Sequence, residues 1–380
     1  MDILTPGLLG RIHDRAAGYD RTNTFLSEDL DELMAVGYLR SLVPVQFGGG
    51  GFSLAEMARE QVLLAAAAPA TALAVNMHLV WTGVAKTLHE RGDPSLDFVL
   101  REAASGEIFA FAISEPGNDL VLFGSATEAK PLADGGYEFT GTKIFTSLSP
   151  VWTRLGLFGL DTTSSDAPKL VHAVVSRESI GITSLDDWDT IGMRASQSRT
   201  TRLESVHAPI EHVFRRLDPG PSTDCLIFAI FANFEILLSS VYIGIAQRAL
   251  ELAVESARGK TSARTGTTKD QDPVTRWKIA DAALGLDALL PQLDVLAHDV
   301  DHMVDRGNQW FRALVGLKSR STRTAKAVVD QAIEIGGGSS FAMASELGRL
   351  YRDVLAGGFH PSNEDSAHST VATAVLGPML

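Results

Sequence analysis

One carboxylate stands alone in the most apolar stretch of the chain. Glu235 is the only charged residue between Asp224 and Arg248, and its neighbours are mostly Phe, Ile and Leu. A buried carboxylate without a partner is costly, and burial raises its pKa toward neutral pH. Glu235 therefore has the chemistry of a general base; the alternative is a structural or inter-subunit ion pair.

Other catalytic patterns are missing or weak. The sequence has no Walker A or Gly-x-Ser-x-Gly pattern, and no Gly-x-Gly-x-x-Gly follows a strand-like run, which argues against nucleotide and serine-hydrolase sites of those types. His298 and His302 have the spacing of metal ligands on a helix. However, Asp299 and Asp301 lie beside them, and no glutamate stands at the zincin position. We interpret this segment as a solvated helix face and expect no metal site.

Two segments about thirty residues apart carry the strongest motif. They read Phe111-Ala-Ile-Ser-Glu-Pro-Gly117 and Gly141-Thr-Lys-Ile-Phe-Thr-Ser147. Together they resemble the flavin-binding middle domain of the acyl-CoA dehydrogenase family, where the patterns are roughly aromatic-x-x-Thr-Glu-Pro-Gly and Gly-x-Lys-x-Trp-Ile-Thr. In that family, strand backbone and hydroxyl groups bind the polar edge of the isoalloxazine ring.

The resemblance implies a role for each matching residue. Ser114 and Ser147 would place hydroxyl donors near the flavin O2 and N5 atoms, which stabilises the charge that develops on reduction. Phe145 would pack against the ring in place of tryptophan. Phe111 and Ile113 belong to the same strand and complete the expected flavin site. Each of these would otherwise be an ordinary half-buried strand residue.

A C-terminal match supports the same family. The run Glu334 to Phe341 resembles its Gln-x-x-Gly-Gly-x-Gly-Phe element, and an Arg-Asp pair follows at the family's separation. The resemblance implies that Gly337 and Gly338 approach the FAD pyrophosphate of a neighbouring subunit. It also implies phosphate or flavin contacts from Arg258, Thr261 and Asn363. Glutamate in place of glutamine at 334 leaves FMN open as well as FAD.

The family's usual catalytic glutamate is absent. Its position reads Pro361, which cannot accept a proton. Some relatives carry the base on the first long helix of the C-terminal bundle, one residue from Glu235, so Glu235 would need a register adjustment of about 100°. Flavin monooxygenases of this fold also lack the glutamate, and there His360 would assist oxygen chemistry. A third interpretation of His360 is a cap for the next helix.

These observations leave three functions open. The first is α,β-dehydrogenation of an acyl-CoA or related thioester, with an unknown electron acceptor. Because the family's Gly-Ser-Asp element is shortened to Asn118-Asp119, an acyl carrier protein or a free acid-like substrate is also open. The second is a two-component monooxygenase that uses reduced flavin and O2. The third is a catalytically inactive partner subunit in a hetero-oligomer.

The surrounding elements predict three domains. A helical N-terminal domain spans residues 1–108 and includes a capping box at Ser53 and Glu56. Short β-rich runs over 109–218 predict an antiparallel barrel or sandwich. Long helices with apolar periodicity, one of them over 273–305, predict a four-helix bundle over 219–380. This multidomain α+β order is that of the acyl-CoA dehydrogenase fold.

Composition narrows the partners. The 380 residues are 45% hydrophobic, enough for a large core. A net charge of −13 and no basic patch interleaved with aromatic residues argue against a nucleic-acid partner. Pro69 and several polar residues interrupt the uncharged run 61–85, which predicts buried helices and not a membrane span. The single Cys225 and the lack of a secretory signal predict a cytoplasmic protein. The apolar helices of the bundle predict a homo-oligomer, most simply a dimer of dimers.

Overall fold

The N-terminal region is helical. The computed structural model describes residues 3–377 and 379. In it the Ser53 hydroxyl accepts from the Glu56 N–H and the Glu56 carboxylate accepts from the Ser53 N–H, so the capping box is confirmed. The helices are α1 (Pro6–Thr22), α2 (Ser27–Ala35), α3 (Leu54–Ala67), α4 (Pro69–Glu90) and α5 (Asp97–Ala104). Pro69 is the first residue of α4, where its missing N–H removes no helical bond.

Eight strands follow and form one sheet. They are β1 (Phe109–Ala112), β2 (Glu128–Pro131), β3 (Tyr137–Thr146), β4 (Arg154–Asp161), β5 (Lys169–Ser176), β6 (Ile182–Ser184), β7 (Arg199–Ala208) and β8 (Val213–Leu217). The order is β6-β7-β3-β2-β4-β5-β8, with β1 also paired to β4. Both β1 and β2 run parallel to β4. The sheet is therefore mixed: five pairings are antiparallel, as predicted for this region, and the two with β4 from β1 and β2 are parallel.

Helix α4 packs on the sheet at a glycine. A Cβ atom on Gly156 of β4 would lie 2.3 Å from the Trp81 ring, so only glycine allows this approach. The Trp81 Nε1 donates to the Ala110 carbonyl of β1 at 3.0 Å. Trp81 is fully buried, and it fixes β1, which carries the first motif, against the helical layer.

The C-terminal region is again helical. Its elements are α6 (Cys225–Gly259), α7 (Pro273–Asp287), α8 (Leu289–Asp301), α9 (Gln309–Gly336), α10 (Glu346–Val354) and α11 (Glu364–Leu376). The length and composition of α6 alone would suit a membrane span, but most of its apolar window is buried inside the protein. Gly244 lets α6 cross α3 closely, because a Cβ there would lie 2.4 Å from the Val62 carbonyl oxygen.

One predicted helix is two. The run 273–305 breaks between Asp287 and Leu289. Pro291 explains the break, because proline cannot donate to the carbonyl four residues earlier, and its ring clashes with that carbonyl. The helical, β, helical order is confirmed, and the domain boundaries near 108 and 218 stay predictions.

Candidate active site

A cavity of about 420 Å³ lies where the sheet meets α4, α6 and the segment after α10. Its aromatic lining comes from five residues: Phe111, Phe145, Trp188, Phe234 and Phe359. Its polar lining includes Ser114, Ser147, Asp189, Ser198, Arg352 and His360. We call the side formed by Phe111, Ser114, Phe145, Ser147 and Ser198 the strand wall. We call the side formed by residues 357–362 the loop wall.

A buried ion pair holds the strand wall. The Lys143 Nζ donates to Glu115 Oε1 at 2.6 Å and to the Phe158 carbonyl at 2.7 Å, and both charged side chains are fully buried. The Ala126 N–H also donates to Glu115, at 2.7 Å. Although burial opposes ionisation, Lys143 and nearby hydroxyls lower the pKa of Glu115 to about 2. Burial lowers the pKa of Lys143 to about 8, so the pair is ionised at neutral pH.

Phe145 reaches the cavity through an irregularity in β3. The pairing of β3 with β7 shifts register between Lys143 and Thr146, and Phe145 has a φ of 57°. A left-handed backbone is strained for an aromatic residue, and such strain clusters at functional sites. The Phe145 side chain is 53% exposed and meets Trp188 edge to face at 6.3 Å. The bulge thus turns an aromatic face toward the cavity.

The two predicted hydroxyls both line this cavity. The Ser114 carbonyl accepts from the Ile144 N–H at 2.9 Å, which ties the first motif to the second. The Ser147 Oγ lies 2.7 Å from Ser198 Oγ. Ser198 was not predicted from the sequence.

Phe111 and Ile113 differ in their placement. Phe111 lines the cavity and stacks on Phe234 of α6, with ring centroids 5.7 Å apart. Ile113 is 2% exposed and does not line it. Residues two apart on an extended strand share a face, so Ile113 would face the same way as Phe111 if the strand continued. However, β1 ends at Ala112, before Ile113. Only the backbone of Ile113 remains available for the predicted contact.

A second lysine holds the loop wall. The Lys318 Nζ donates to the carbonyls of Gly357, His360 and Ser362 at 3.0, 3.1 and 2.8 Å. An ammonium group has three protons, so Lys318 spends all of them on this segment. Sequence reasoning missed Lys318; the signal was a lone charge after the apolar run Leu314–Leu317.

His360 is the ionisable group that the loop wall presents to the cavity. Burial, with the nearby charge of Lys318, lowers the pKa of His360 to about 3, so its ring is neutral. The buried Nε2 atom has no hydrogen-bond partner within residues 3–377 and 379. Its ring packs against Tyr242, with centroids 5.9 Å apart. Asn363, not His360, caps α11 by accepting from the Ser366 N–H at 2.9 Å, and Asn363 does not line the cavity.

Glu235 lies behind the wall and not on it. Phe234 lines the cavity, and the next residue of a helix points about 100° away. The Glu235 Oε1 accepts from the Ser362 hydroxyl at 2.7 Å. Burial raises the pKa of Glu235 to about 7, against the opposing effects of Ser362 and Lys318. The structure therefore brings Glu235 to the back of the loop wall and leaves it outside the cavity.

The residues expected near flavin phosphates form a separate group. Arg258, Thr261, Gly337 and Gly338 do not line the cavity of their own chain. Lys260 lies between Arg258 and Thr261 in sequence, and its Nζ donates to the Gly336 carbonyl and, at 2.9 Å, to the Ser339 hydroxyl, on either side of Gly337 and Gly338. Thr261 forms an isolated bridge with Thr268. Gly337 has a φ of 69°, which glycine adopts without strain.

A second, polar cleft adjoins the cavity. It has a volume of about 850 Å³ and lies between α1, α10 and the loop before β7. It shares Asp189, Thr190, Ile191 and Arg352 with the cavity. Its charges are mixed: Arg352 pairs with Asp20, and Arg194 with Asp189.

Comparison with known proteins places this geometry in context. Residues 236–364 match the family model "Acyl-CoA dehydrogenase, C-terminal domain". L-evernosamine nitrososynthase from Micromonospora sp. is 28% identical, covering 94% of this chain and 85% of that protein. Isobutylamine N-hydroxylase from Streptomyces viridifaciens is 28% identical, covering 89% of this chain and 86% of that protein.

A solved structure extends the likeness to three dimensions. It is that of KijD3 in complex with FMN and dTDP-3-amino-2,3,6-trideoxy-4-keto-3-methyl-D-glucose. The TM-score is 0.86 at 25% identity, with 98% of this chain and 92% of that chain covered. The three relatives thus cover the strands and the N-terminal helices as well as the C-terminal region.

Proposed function

We propose that this chain, which resembles the acyl-CoA dehydrogenase family of flavin-dependent oxidoreductases, is a monooxygenase that uses reduced flavin and O2 to oxygenate an amine. The residues that line the cavity support the class of reaction. The amine is inferred from the relatives, whose names describe nitrososynthases and an N-hydroxylase.

The residues of the cavity fit a flavin ring. Phe145 and Trp188 offer aromatic surface to a flat ring system, and Ser114 and Ser147 offer hydroxyls to its polar edge. On the loop wall, His360 lines the cavity, and its Nε2 has no hydrogen-bond partner among the described residues. FMN and FAD share the ring system, and either one suits this set of residues.

One observation carries the choice of reaction. The ionisable group on the loop wall is a neutral imidazole, and Asp189 is the only carboxylate that lines the cavity in the described part of the chain. The Asp189 side chain is 90% exposed and pairs with Arg194. Abstraction of an α proton needs a positioned base of suitable pKa. A histidine with a pKa near 3 is a poor one.

The same environment favours an amine substrate. The burial and the Lys318 charge that keep His360 neutral would also lower the pKa of a substrate ammonium at that point. A neutral amine keeps the lone pair that attacks an oxygen donor. The neutral His360 ring, which lines the cavity, would accept a hydrogen bond from the amine N–H and so direct that lone pair into the cavity.

The reaction balances as a monooxygenation. Bound reduced flavin would supply two electrons and two protons, so that one atom of O2 joins the substrate nitrogen and the other leaves as water. With flavin and substrate bound, the aromatic lining of the cavity would limit the entry of bulk water and so protect reactive oxygen species from unproductive loss. The sequence lacks a Gly-x-Gly-x-x-Gly nucleotide motif after a strand, so we propose that a separate reductase supplies the reduced flavin.

Dehydrogenation of an acyl thioester is the weaker candidate. Pro361 occupies the position of the family's base, and Glu235 hydrogen-bonds Ser362 behind the wall. To act as the base, Glu235 would have to break that bond and rotate past Phe234. No such movement is needed for an oxygenation in which His360 contacts the substrate.

We also propose that the flavin lies across a subunit boundary of a homo-oligomer, most simply a dimer of dimers. Arg258 and Gly337 lie outside the cavity of their own chain and are free to serve a neighbour. Helix α7 exposes Val274, Trp277 and Leu284 by 61, 67 and 71%, an apolar surface suited to a second copy. A monodisperse monomer that retains flavin at micromolar concentration would contradict this assembly.

The test of the function is product analysis with labelled oxygen. The purified protein is mixed with a separate flavin reductase, NADH, FMN and a panel of primary amines under ¹⁸O₂. We expect an N-oxygenated product that carries one ¹⁸O atom per oxygenation. If only thioethers or thiophenes are oxygenated, the proposed monooxygenase reaction stands and the proposed amine substrate is wrong. Failure to bind flavin in either redox state would reject the enzyme and favour an inactive partner subunit.

A further inference from the structure

Three buried serine hydroxyls connect the strand wall to a fixed carbonyl. The Ser147 Oγ lies 2.7 Å from Ser198 Oγ, which lies 2.8 Å from Ser196 Oγ. The Ser196 hydroxyl donates to the Met193 carbonyl at 2.7 Å. The exposed fractions of Ser147, Ser198 and Ser196 are 4, 4 and 0%. The Met193 N–H donates to Asp353 Oδ1 at 2.6 Å, which holds the end of this serine chain in place.

The direction of the protons in the serine chain follows from its end. A carbonyl oxygen only accepts, and each serine hydroxyl has one proton to donate. The Ser196 proton is used by Met193, so Ser198 must donate to Ser196. The Ser198 proton is then used, so Ser147 must donate to Ser198. Ser147 therefore faces the cavity with lone pairs only, as a hydrogen-bond acceptor.

We infer that the serine chain makes the site selective for reduced flavin, an inference that rests on the proposed function. In oxidised isoalloxazine N5 is a hydrogen-bond acceptor, and reduction places a proton on it. A hydroxyl that can only accept pairs with the N5–H of the reduced ring. Next to the acceptor N5 of the oxidised ring, the same hydroxyl has no donor to offer, and both groups stay unpaired. On this inference Ser147 accepts a hydrogen bond from the ring, where the sequence resemblance led us to expect a donor.

Selectivity of this kind suits an enzyme that receives its flavin already reduced. A protein that binds reduced flavin more tightly captures it from a reductase and releases the oxidised form after turnover. Ser196 and Ser198 are positioning residues in this scheme, because they set the direction of the Ser147 proton. Ser196 does not line the cavity, so its effect on the ligand passes through the serine chain.

The test reverses the serine chain without touching the ligand. In Ser196→Ala the proton of Ser198 is released and turns to Ser147, whose own proton then turns toward the cavity. We measure the dissociation constants of oxidised FMN and, anaerobically, of reduced FMN. The dissociation constant of oxidised FMN divided by that of reduced FMN should fall about five- to tenfold. This is the range expected when one neutral hydrogen bond changes direction. A tenfold fall lowers the two-electron potential of the bound flavin by about 30 mV.

The control is another buried serine of the same turn. Ser149 donates to the Thr146 carbonyl at 2.6 Å and lies outside the serine chain, so Ser149→Ala should leave the ratio unchanged. Ser198→Ala also breaks the chain and replaces Ser196→Ala if that variant does not fold. An equal loss of affinity for both redox states, or an unchanged ratio, would overturn the inference. If the wild-type protein binds neither form, the proposed function fails instead.

Discussion

The strand wall and the loop wall are each fixed by a buried lysine, but the two lysines bind different partners. Lys143 pairs with the carboxylate of Glu115 and joins the two motif segments. Lys318 binds backbone carbonyls of the loop wall, while Glu235 accepts from Ser362 nearby. An anchor that contacts only backbone tolerates changes in the side chains of its segment. The strand wall can thus keep a flavin-binding surface while the loop wall exchanges a glutamate for proline and presents a histidine.

The strand wall should be the more sensitive of the two to loss of its lysine. In Lys143→Met the Glu115 carboxylate stays buried without its cation, and breaking such a pair costs about 3–5 kcal/mol. We expect this loss in the free energy of unfolding, measured by urea denaturation, together with loss of flavin binding. Lys130→Met, at an exposed position on β2, is the control and should change stability little. A Lys143→Met protein as stable as the control would show that the ion pair does not hold this wall.

The loop wall should separate chemistry from flavin binding. In Lys318→Met three carbonyls lose their donor, so His360 and its neighbours are no longer held in one position. We expect turnover with reduced flavin to fall about 10²-fold or more, the scale of a misplaced active-site group. Flavin affinity should change little, because the strand wall is intact. Equal losses in flavin affinity and turnover would contradict the division between the two walls.

His360→Ala tests the side chain that the loop wall presents. Removal of its hydrogen bond to the substrate should lower kcat/KM for the amine by about 10–10²-fold, at the low end for a positioned polar group. The measurement is the initial rate of N-oxygenated product at several amine concentrations. His360→Asn keeps a polar group and should restore part of the rate. Unchanged kinetics in both variants would remove His360 from the mechanism.

Glu235 and His360 should give opposite pH dependences of stability. The pKa of Glu235 is raised from 4.5 to about 7 in the folded protein, so its contribution is lost as pH rises from 4.5 through 7. The pKa of His360 is lowered from 6.5 to about 3, so its contribution is lost as pH falls from 6.5 toward 3. The free energy of unfolding should therefore fall less steeply with rising pH above 4.5 in Glu235→Gln than in the wild-type protein. His360→Asn should instead lose less stability on acidification.

The sequence predicts the strand wall better than the loop wall, for physical reasons. Ser114, Phe145 and Ser147 lie in one motif pattern, and the hydrogen bond from the Ile144 N–H to the Ser114 carbonyl joins its two halves. Glu235 could not be placed, because one residue along a helix changes direction by about 100°, and the partner Ser362 is 127 positions away. The role of Lys318 could not be predicted for a similar reason, since its partners are carbonyls of a distant segment. Phe145 needed a bulge that no residue type announces.

The central claim is that this cavity supports oxygen transfer and not α-proton abstraction. The most direct test is to mix the flavin-loaded protein anaerobically with a panel of acyl-CoAs and follow the flavin absorbance. With no carboxylate base from Glu235 or position 361 at the cavity, the oxidised flavin should keep its absorbance with every thioester. Rapid bleaching by an acyl-CoA, lost in Glu235→Gln, would contradict the account and restore Glu235 as the base of a dehydrogenase.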